Sequence, residues 1–209
     1  MIRILVVDDH AVVRRGLRQI LADEPDVEVY EATDTHEAMG LARARALDLV
    51  VLDLDLPGKN GLDLLKELKE ERPRLPVLIL SIHTEDQFAL RTLKAGASGF
   101  LSKDAAPEDL VTAVRKILRG GKYVSERVAE KLLSRLAEPA DAAAHDSLSD
   151  REFQILRLFG AGKTVREIAE DLSLSVPTIS TYRARVLEKL GMKTTAELVR
   201  YAILNRLAP

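Results

Sequence analysis

The chain has 209 residues, 46% of them apolar and 31% charged, with a net charge of -2 and no cysteine. This is the balance of a globular protein with one large or two small domains, and it excludes disulfides and thiolate metal sites. No apolar run approaches the ~18 residues of a membrane helix, and Met1 leads straight into a strand pattern, so a cytoplasmic protein without a membrane segment is expected.

The first half alternates strand and helix patterns. "IRILVV" reads as a buried strand, "AVVRRGLRQILA" as an amphipathic helix and "EVYEA" as a second strand. A helix from about Thr35 to Ala46 follows, then the strand "LVVL" and a helix from about Gly61 to Glu71. The strand "VLIL", a helix around Asp86 to Ala95, the strand "GFL" and a helix from Pro107 to Arg119 complete five βα units. Continuous apolar strands separated by helices predict a doubly wound α/β fold, a five-stranded parallel sheet covered on both faces. "RGGKYV" breaks that rhythm, "SERVAEKLLSRLA" offers one more helix, and "EPADAAAHDS" reads as a linker.

Only helices follow, which predicts a small all-α domain of four helices. "SDREFQILRLFG" opens with a capping box, Ser149 with Glu152, and "TVREIAEDL" repeats it with Thr164 and Glu167. "SLS" is a tight turn, "VPTISTYRARVLEKLG" is a longer helix with Pro177 in its first turn, and "TTAELVRYAILNRL" is the last. The expected domains are 1–119, a linker with one helix over 120–146, and 147–209. Their charges differ: 17 Lys/Arg against 21 Asp/Glu, 4 against 5, and 10 against 7. An acidic domain is joined to a mildly basic one.

In a parallel sheet, ligands bind beyond the carboxyl ends of the strands. Asp8 and Asp9 end the first strand and Asp53 the third, while Ser81 follows the fourth and Lys103 the fifth. A single acid at a strand end is ordinarily solvated or caps a helix; five convergent positions are not so easily dismissed. Three carboxylates packed together repel unless a cation intervenes, and oxygen ligands suit Mg²⁺. Such an ion with an open coordination position, a lysine and a hydroxyl together suit a transferring phosphoryl group. The segment "LVVLDLDLPGKNG" adds a second carboxylate, Asp55, leaving open whether one or both react.

"VVDDH", "LVVLDLDLPGKNG", "LILSIHTED" and "GASGFLSKDAAPEDL" resemble the receiver domain of two-component response regulators, a flavodoxin-like fold. The helical part, from "LSDREF" to "VLEKLG", resembles the LuxR-type helix-turn-helix output domain. Together they resemble the NarL/FixJ family over nearly the whole chain, apart from the region around Glu138 to Asp146. The resemblance implies that Asp53 accepts a phosphoryl group from a sensor histidine kinase. It implies a metal site of Asp9, Asp8, Asp53 and the backbone carbonyl of Asp55. Lys103 and Ser81 would hold the phosphoryl oxygens, Phe100 would be the aromatic that turns inward, and Asp55 and His83 would tune dephosphorylation. Many receivers follow this lysine with a cis proline; Asp104 stands here, leaving that isomer open. Double-stranded DNA, RNA polymerase and a second copy of the chain are the further partners implied. "DLDLP" also approaches the DxDxT/V signature of haloacid-dehalogenase-type phosphatases. That class places its motif on the first strand, with Thr or Val where Leu56-Pro57 stand. A receiver acting only through protein contacts would need the tail to be an ordinary bundle.

The tail bears on that. With Ala184 as reference and ~100° per residue, Ile179, Tyr182, Val186 and Leu190 form a core stripe. Ser180, Thr181, Ala184 and Glu188 share the opposite face, with Arg183 and Arg185 about 100° to either side. A slim face flanked by arginines suits a major groove with a phosphate wall on each side. The DNA-contacting set expected is Lys163, Thr164, Arg166, Thr178, Ser180, Thr181, Arg183, Ala184, Arg185 and Lys189. Family members often carry Lys where Ser180 stands and His where Tyr182 stands, so a different base preference is expected. Glu188 must avoid phosphates or read a cytosine amino group.

Overall fold

The computed structural model describes residues 1–56, 61–81, 85–126, 128–130, 144–205 and 207, with backbone alone at 85–88 and 146. The chain forms two compact units, Met1–Leu136 and Ala137–Pro209. No described helix is long and apolar enough to cross a membrane.

The first unit is built on five strands: β1 (Ile2–Val7), β2 (Val27–Ala32), β3 (Leu49–Asp53), β4 (Val77–Ser81) and β5 (Gly99–Ser102). All pair in parallel, in the order β2-β1-β3-β4-β5. Every residue of β3 and β4 is buried, as two-sided coverage of a parallel sheet requires. Helices α1 (Ala11–Ala22), α2 (Thr35–Ala44), α3 (Gly61–Glu71), α4 (Glu85–Lys94) and α5 (Pro107–Leu118) supply the two layers. On one face Ile4, Val6, Leu49, Val51, Leu78 and Leu80 pack with Leu17 and Leu21 of α1 and with Leu110, Val114 and Ile117 of α5. The alternate residues Leu5, Val7, Val50, Leu52, Ile79 and Phe100 are buried on the other face. Each such side chain contributes roughly 1.5–3 kcal/mol on leaving water, which fixes the register against a one-residue slip.

Pairing runs past the expected end of this domain at residue 119. Tyr123 forms a parallel bridge with Gly99, and its carbonyl accepts the Phe100 N–H at 2.9 Å. A β-carbon on Gly99 would lie 2.6 Å from that carbonyl, so the approach requires glycine. Of the helix expected over "SERVAEKLLSRLA", Glu126 and Val128–Glu130 are described and are helical; the remainder and most of the expected linker lie outside the described residues.

In the second unit a 3-10 turn (Ala144–Ser147) leads into α6 (Asp150–Gly160), α7 (Val165–Asp171), α8 (Val176–Lys189) and α9 (Thr195–Leu204). Both expected capping boxes form, Ser149 with Glu152 and Thr164 with Glu167, and Thr194 with Glu197 adds a third. Helix α6 packs against α8 and α9, burying Phe153, Ile155, Leu156 and Phe159 with Ile179, Val186, Leu198 and Ala202. The turn between α7 and α8 passes through Ser173 at φ 51°, a left-handed position. Ser175 then caps α8 by accepting the Thr178 N–H.

Candidate functional site

Strand β1 has β2 on one side and β3 on the other, so successive crossovers diverge from it and open a crevice at its carboxyl end. Asp8 and Asp9 follow β1 there, and Asp53 is the last residue of β3. Ser81 ends β4, and Lys103 comes directly after β5. The structure brings these positions to one edge. Lys103 Nζ lies 2.7 Å from Asp8 Oδ2 and 2.7 Å from Asp53 Oδ2, both aspartates being buried. Ser81 is fully buried, and its carbonyl accepts the Lys103 N–H at 2.9 Å, so the lysine backbone is pinned beside it.

Two further contacts hold the carboxyl end of β3. The Asp55 N–H donates to Asp53 Oδ1 at 3.2 Å. Gly61, at the start of α3, donates its N–H to the Leu54 carbonyl at 3.0 Å. A β-carbon on Gly61 would sit 2.2 Å from the Asp53 carbonyl, a distance no side chain tolerates. Glycine is therefore what lets α3 close against the end of β3 at Asp53. Phe100 is fully buried on β5, and the side chain of Asp55 is half-buried. His83 lies outside the described residues. No cis peptide occurs among the described residues, so the Lys103–Asp104 bond is trans.

The electrostatics follow from burial. Loss of water pushes the Asp53 carboxyl up to about 6; Lys103 pulls it down, and Asp55 and Asp8 push it further up. For Lys103 burial is also the largest influence and favours the neutral amine, but Asp53 and Asp8 more than offset it and leave its pKa raised. One ammonium thus meets Asp8 and Asp53, and Asp9 adds a third carboxylate at the same edge, a formal excess of negative charge that a divalent cation would balance. One ligand atom from each of Asp8, Asp9, His10 and Asp53 falls within a 4.8 Å cluster, to which Asp55 adds no side-chain oxygen. His10 was not among the expected site residues; its place directly after the aspartate pair was the available signal.

On the second unit, α8 exposes Pro177, Thr181, Ala184, Arg185, Glu188 and Lys189. Ser180 and Arg183 are half-buried, and Ile179 and Val186 are fully packed. On the helical wheel the exposed face therefore centres near Thr181, about 60° from Ala184. This corrects the expected symmetry of the arginines. Arg185 lies at the exposed side and stacks at 5.9 Å over the Tyr182 ring, whereas Arg183 turns toward the domain with its Nε buried. Ile179 and Val186 pack inward against α6 and α9 as the wheel predicts, whereas Tyr182 and Leu190 of the expected stripe are only half-buried. Lys163 pairs with Asp171, and Lys189 Nζ lies 2.7 Å from Glu152 Oε2. Burial would raise the Glu152 pKa, but Lys189 and the N-cap groups of Ser149 leave it lowered. Arg166 and Thr164 are exposed at the start of α7, with Thr164 Oγ1 donating to Glu167 Oε2 at 2.7 Å. Thr181 Oγ1 donates back to the Pro177 carbonyl at 3.0 Å, and Thr178 shares a 2.7 Å hydrogen bond with Ser175.

A parallel sheet with an aspartate-lysine edge, joined to a capped helix-turn-helix, defines a transcription regulator with a receiver and an output domain. Residues 4–115 match the response regulator receiver domain, and residues 146–202 match the bacterial regulatory proteins of the luxR family. Over 205 residues the chain is 36% identical to response regulator UvrY of Escherichia coli (strain K12), covering 97% of this chain and 94% of that protein. It is likewise 36% identical over 205 residues to response regulator GacA of Pseudomonas aeruginosa, covering 97% of this chain and 96% of that protein. RcsB from Salmonella enterica serovar Typhimurium, solved bound to a promoter in the presence of phosphomimetic BeF3-, superposes with TM-score 0.61 at 28% identity, covering 96% of this chain and 97% of that one. The chain belongs to the NarL/FixJ-type response regulators, DNA-binding transcription regulators.

Proposed function

We propose that Asp53 is the phosphoryl acceptor and that its phosphorylation by a sensor histidine kinase in the cytoplasm switches sequence-specific DNA binding. The observation that carries this reading is the Lys103 ammonium held between the buried carboxylates of Asp8 and Asp53 at the mouth of the sheet crevice. Asp53 Oδ would attack phosphorus, a P–O bond forming as the P–N bond to the kinase histidine breaks and the imidazole leaves. Asp8, Asp9, Asp53 and the backbone carbonyl of Asp55 would hold Mg²⁺. When bound, that ion supplies positive charge to the phosphoryl oxygens. Lys103 would follow a phosphoryl oxygen once Asp53 carries the acyl phosphate, and the buried Ser81 hydroxyl would bond another, with Phe100 as the switch aromatic. Asp55 and His83 would tune hydrolysis. RcsB, solved with a promoter and a phosphomimetic, supports both halves of the reading by similarity.

The DNA face would be the exposed side of α8 around Thr181, with Ser180 and Ala184 beside it and Thr178 at its start. Arg185 and Arg166 would meet phosphates, and Lys163 and Thr164 would flank the groove. Lys189 and Arg183 would act mainly by fixing the pose of α8, given the ion pair with Glu152 and the buried Nε of a half-buried Arg183. The active form would be a dimer that works with RNA polymerase.

The test uses acetyl phosphate and Mg²⁺. Wild-type protein should acquire one acyl phosphate and a changed affinity for DNA selected from a random pool, and Asp53→Asn should acquire neither. Undiminished labelling of Asp53→Asn, as would follow from reaction at Asp55, would overturn the assignment.

A further inference from the structure

His10 stands directly after Asp8 and Asp9, and its imidazole folds back onto them. Its Nδ1 lies 2.7 Å from Asp9 Oδ1 and 3.5 Å from Asp8 Oδ1. The turn is fixed from below, because the His10 N–H donates to Asp8 Oδ1 at 2.8 Å, and Arg14 Nη1 donates to the Asp8 carbonyl at 2.7 Å. Lys103 holds Asp8 and Asp53 from the buried side, while Asp9 (32% exposed) and His10 (64% exposed) face solvent. A cation entering the crevice therefore meets a nitrogen as well as oxygens. One ligand atom from each of Asp8, Asp9, His10 and Asp53 already lies within 4.8 Å of the others. Neighbouring N and O ligands at about 2.0–2.2 Å from one ion are about 3 Å apart, so the His10–Asp9 pair needs only a small opening to share a metal in place of a proton.

Ligand chemistry decides which metal gains. Mg²⁺ takes oxygen and keeps several waters, so an imidazole adds nothing to it. Zn²⁺, Co²⁺, Ni²⁺ and Cu²⁺ bind imidazole well and rank above the hard cations at mixed N/O sites. We infer that His10 Nδ1 is a ligand for divalent transition cations at the acidic edge, and that it makes this receiver a competitive site for such cations against Mg²⁺. The inference rests on the reading of that edge as the metal site of the phosphoryl acceptor. His10 discriminates between cation classes there without being needed for Mg²⁺.

Co²⁺ is the probe, because its visible bands report nitrogen in the coordination sphere. Full-length wild-type protein, titrated with Co²⁺ and separately with Mg²⁺, is compared with His10→Ala and Asp9→Asn. Expected is a loss of Co²⁺ affinity of at least about tenfold in His10→Ala, the scale seen even for outer-shell partners, with altered bands. Mg²⁺ affinity should change less than twofold in that variant. Asp9→Asn should weaken both ions, and excess Mg²⁺ should displace Co²⁺. If His10→Ala binds Co²⁺ as wild type does while Asp9→Asn loses both ions, the inference fails and the acidic site stands. If Asp9→Asn retains both ions undiminished, the reading of the metal site fails and the inference goes with it. Co²⁺ that Mg²⁺ cannot displace would be bound at another histidine, and that result also overturns the inference.

Discussion

Asp53 carries an electrostatic strain that a titration can read. Its carboxyl ordinarily ionises near 3.8 and is pushed up to about 6, with burial as the first cause. A raised carboxyl pKa means that ionisation opposes folding. The penalty is absent below the unfolded pKa, grows between the two values and is complete above the folded one. In metal-free buffer, Asp53→Asn should therefore gain stability relative to wild type as pH rises from 4 to 7, by at most about 3 kcal/mol at 1.36 kcal/mol per unit. Urea melts across that range check it, and added Mg²⁺ should close the gap by stabilising only the wild-type carboxylate. Asp55 belongs to the same scale. Its N–H holds Asp53 Oδ1, and its carboxylate raises the Asp53 pKa. Asp55→Asn keeps the backbone bond and removes the charge, so the acyl-phosphate decay rate should change well beyond any change in stability. Superimposable decay curves for the two proteins would dispose of that role.

At the scale of elements, the rotation of α8 sets what each side chain contributes to DNA. Arg185 is exposed, so Arg185→Ala should weaken binding to all sequences alike and lower the salt slope by roughly one unit. Arg183 is half-buried with its Nε enclosed, so Arg183→Ala should instead lower domain stability and leave the salt slope near that of wild type. Thr181 lies at the centre of the exposed face, with Ser180 at its edge. Thr181→Ala should leave non-specific binding intact while costing on the order of 1 kcal/mol at one base position, and Ser180→Ala should cost less. Titrations on matched and scrambled DNA at several salt concentrations separate these outcomes. An Arg183 variant that loses a full unit of slope would mean that α8 meets DNA on its other side. The Glu152–Lys189 pair works at this scale too, because it ties the end of α8 to the N-cap of α6 through one buried carboxylate.

At the scale of the whole molecule, residues 1–119 carry a net charge of -4 and residues 147–209 one of +3. Only the segment 147–209 attracts DNA by net charge, and a single α8 presents one narrow reading face. Specific binding by the proposed dimer should therefore protect two half-sites centred about one helical turn (~34 Å) apart. Footprinting of acetyl-phosphate-treated protein on selected sites checks this, with Asp53→Asn expected to need a higher concentration for the same protection. A single protected half-site at saturation would count against the dimer.

Much of this was legible in the residues themselves. Period and strand-end chemistry alone gave five strands, the acids at the ends of β1 and β3, Lys103 after β5, and the helix caps of α6 and α7. Those features depend on local pattern and on one topological rule, that parallel strands deliver their carboxyl ends to one edge. Other features depend on which distant segments meet. The sequence does not say that Lys103 Nζ chooses Asp8 and Asp53 together, that Gly61 must be bare because the Asp53 carbonyl passes behind it, or that Tyr123 extends the pairing beyond β5. Nor could a helical wheel say that Arg183 is half-buried while Arg185 is exposed, because that depends on how α6 and α9 pack against α8. The sequence by itself determined the class of fold and the gathering of Asp8, Asp9, Asp53, Ser81 and Lys103 at one edge, since each is written in period and position. Only the tertiary structure decided where His10 points, which arginine faces outward and what holds Asp53, since those follow from packing between segments far apart in the chain.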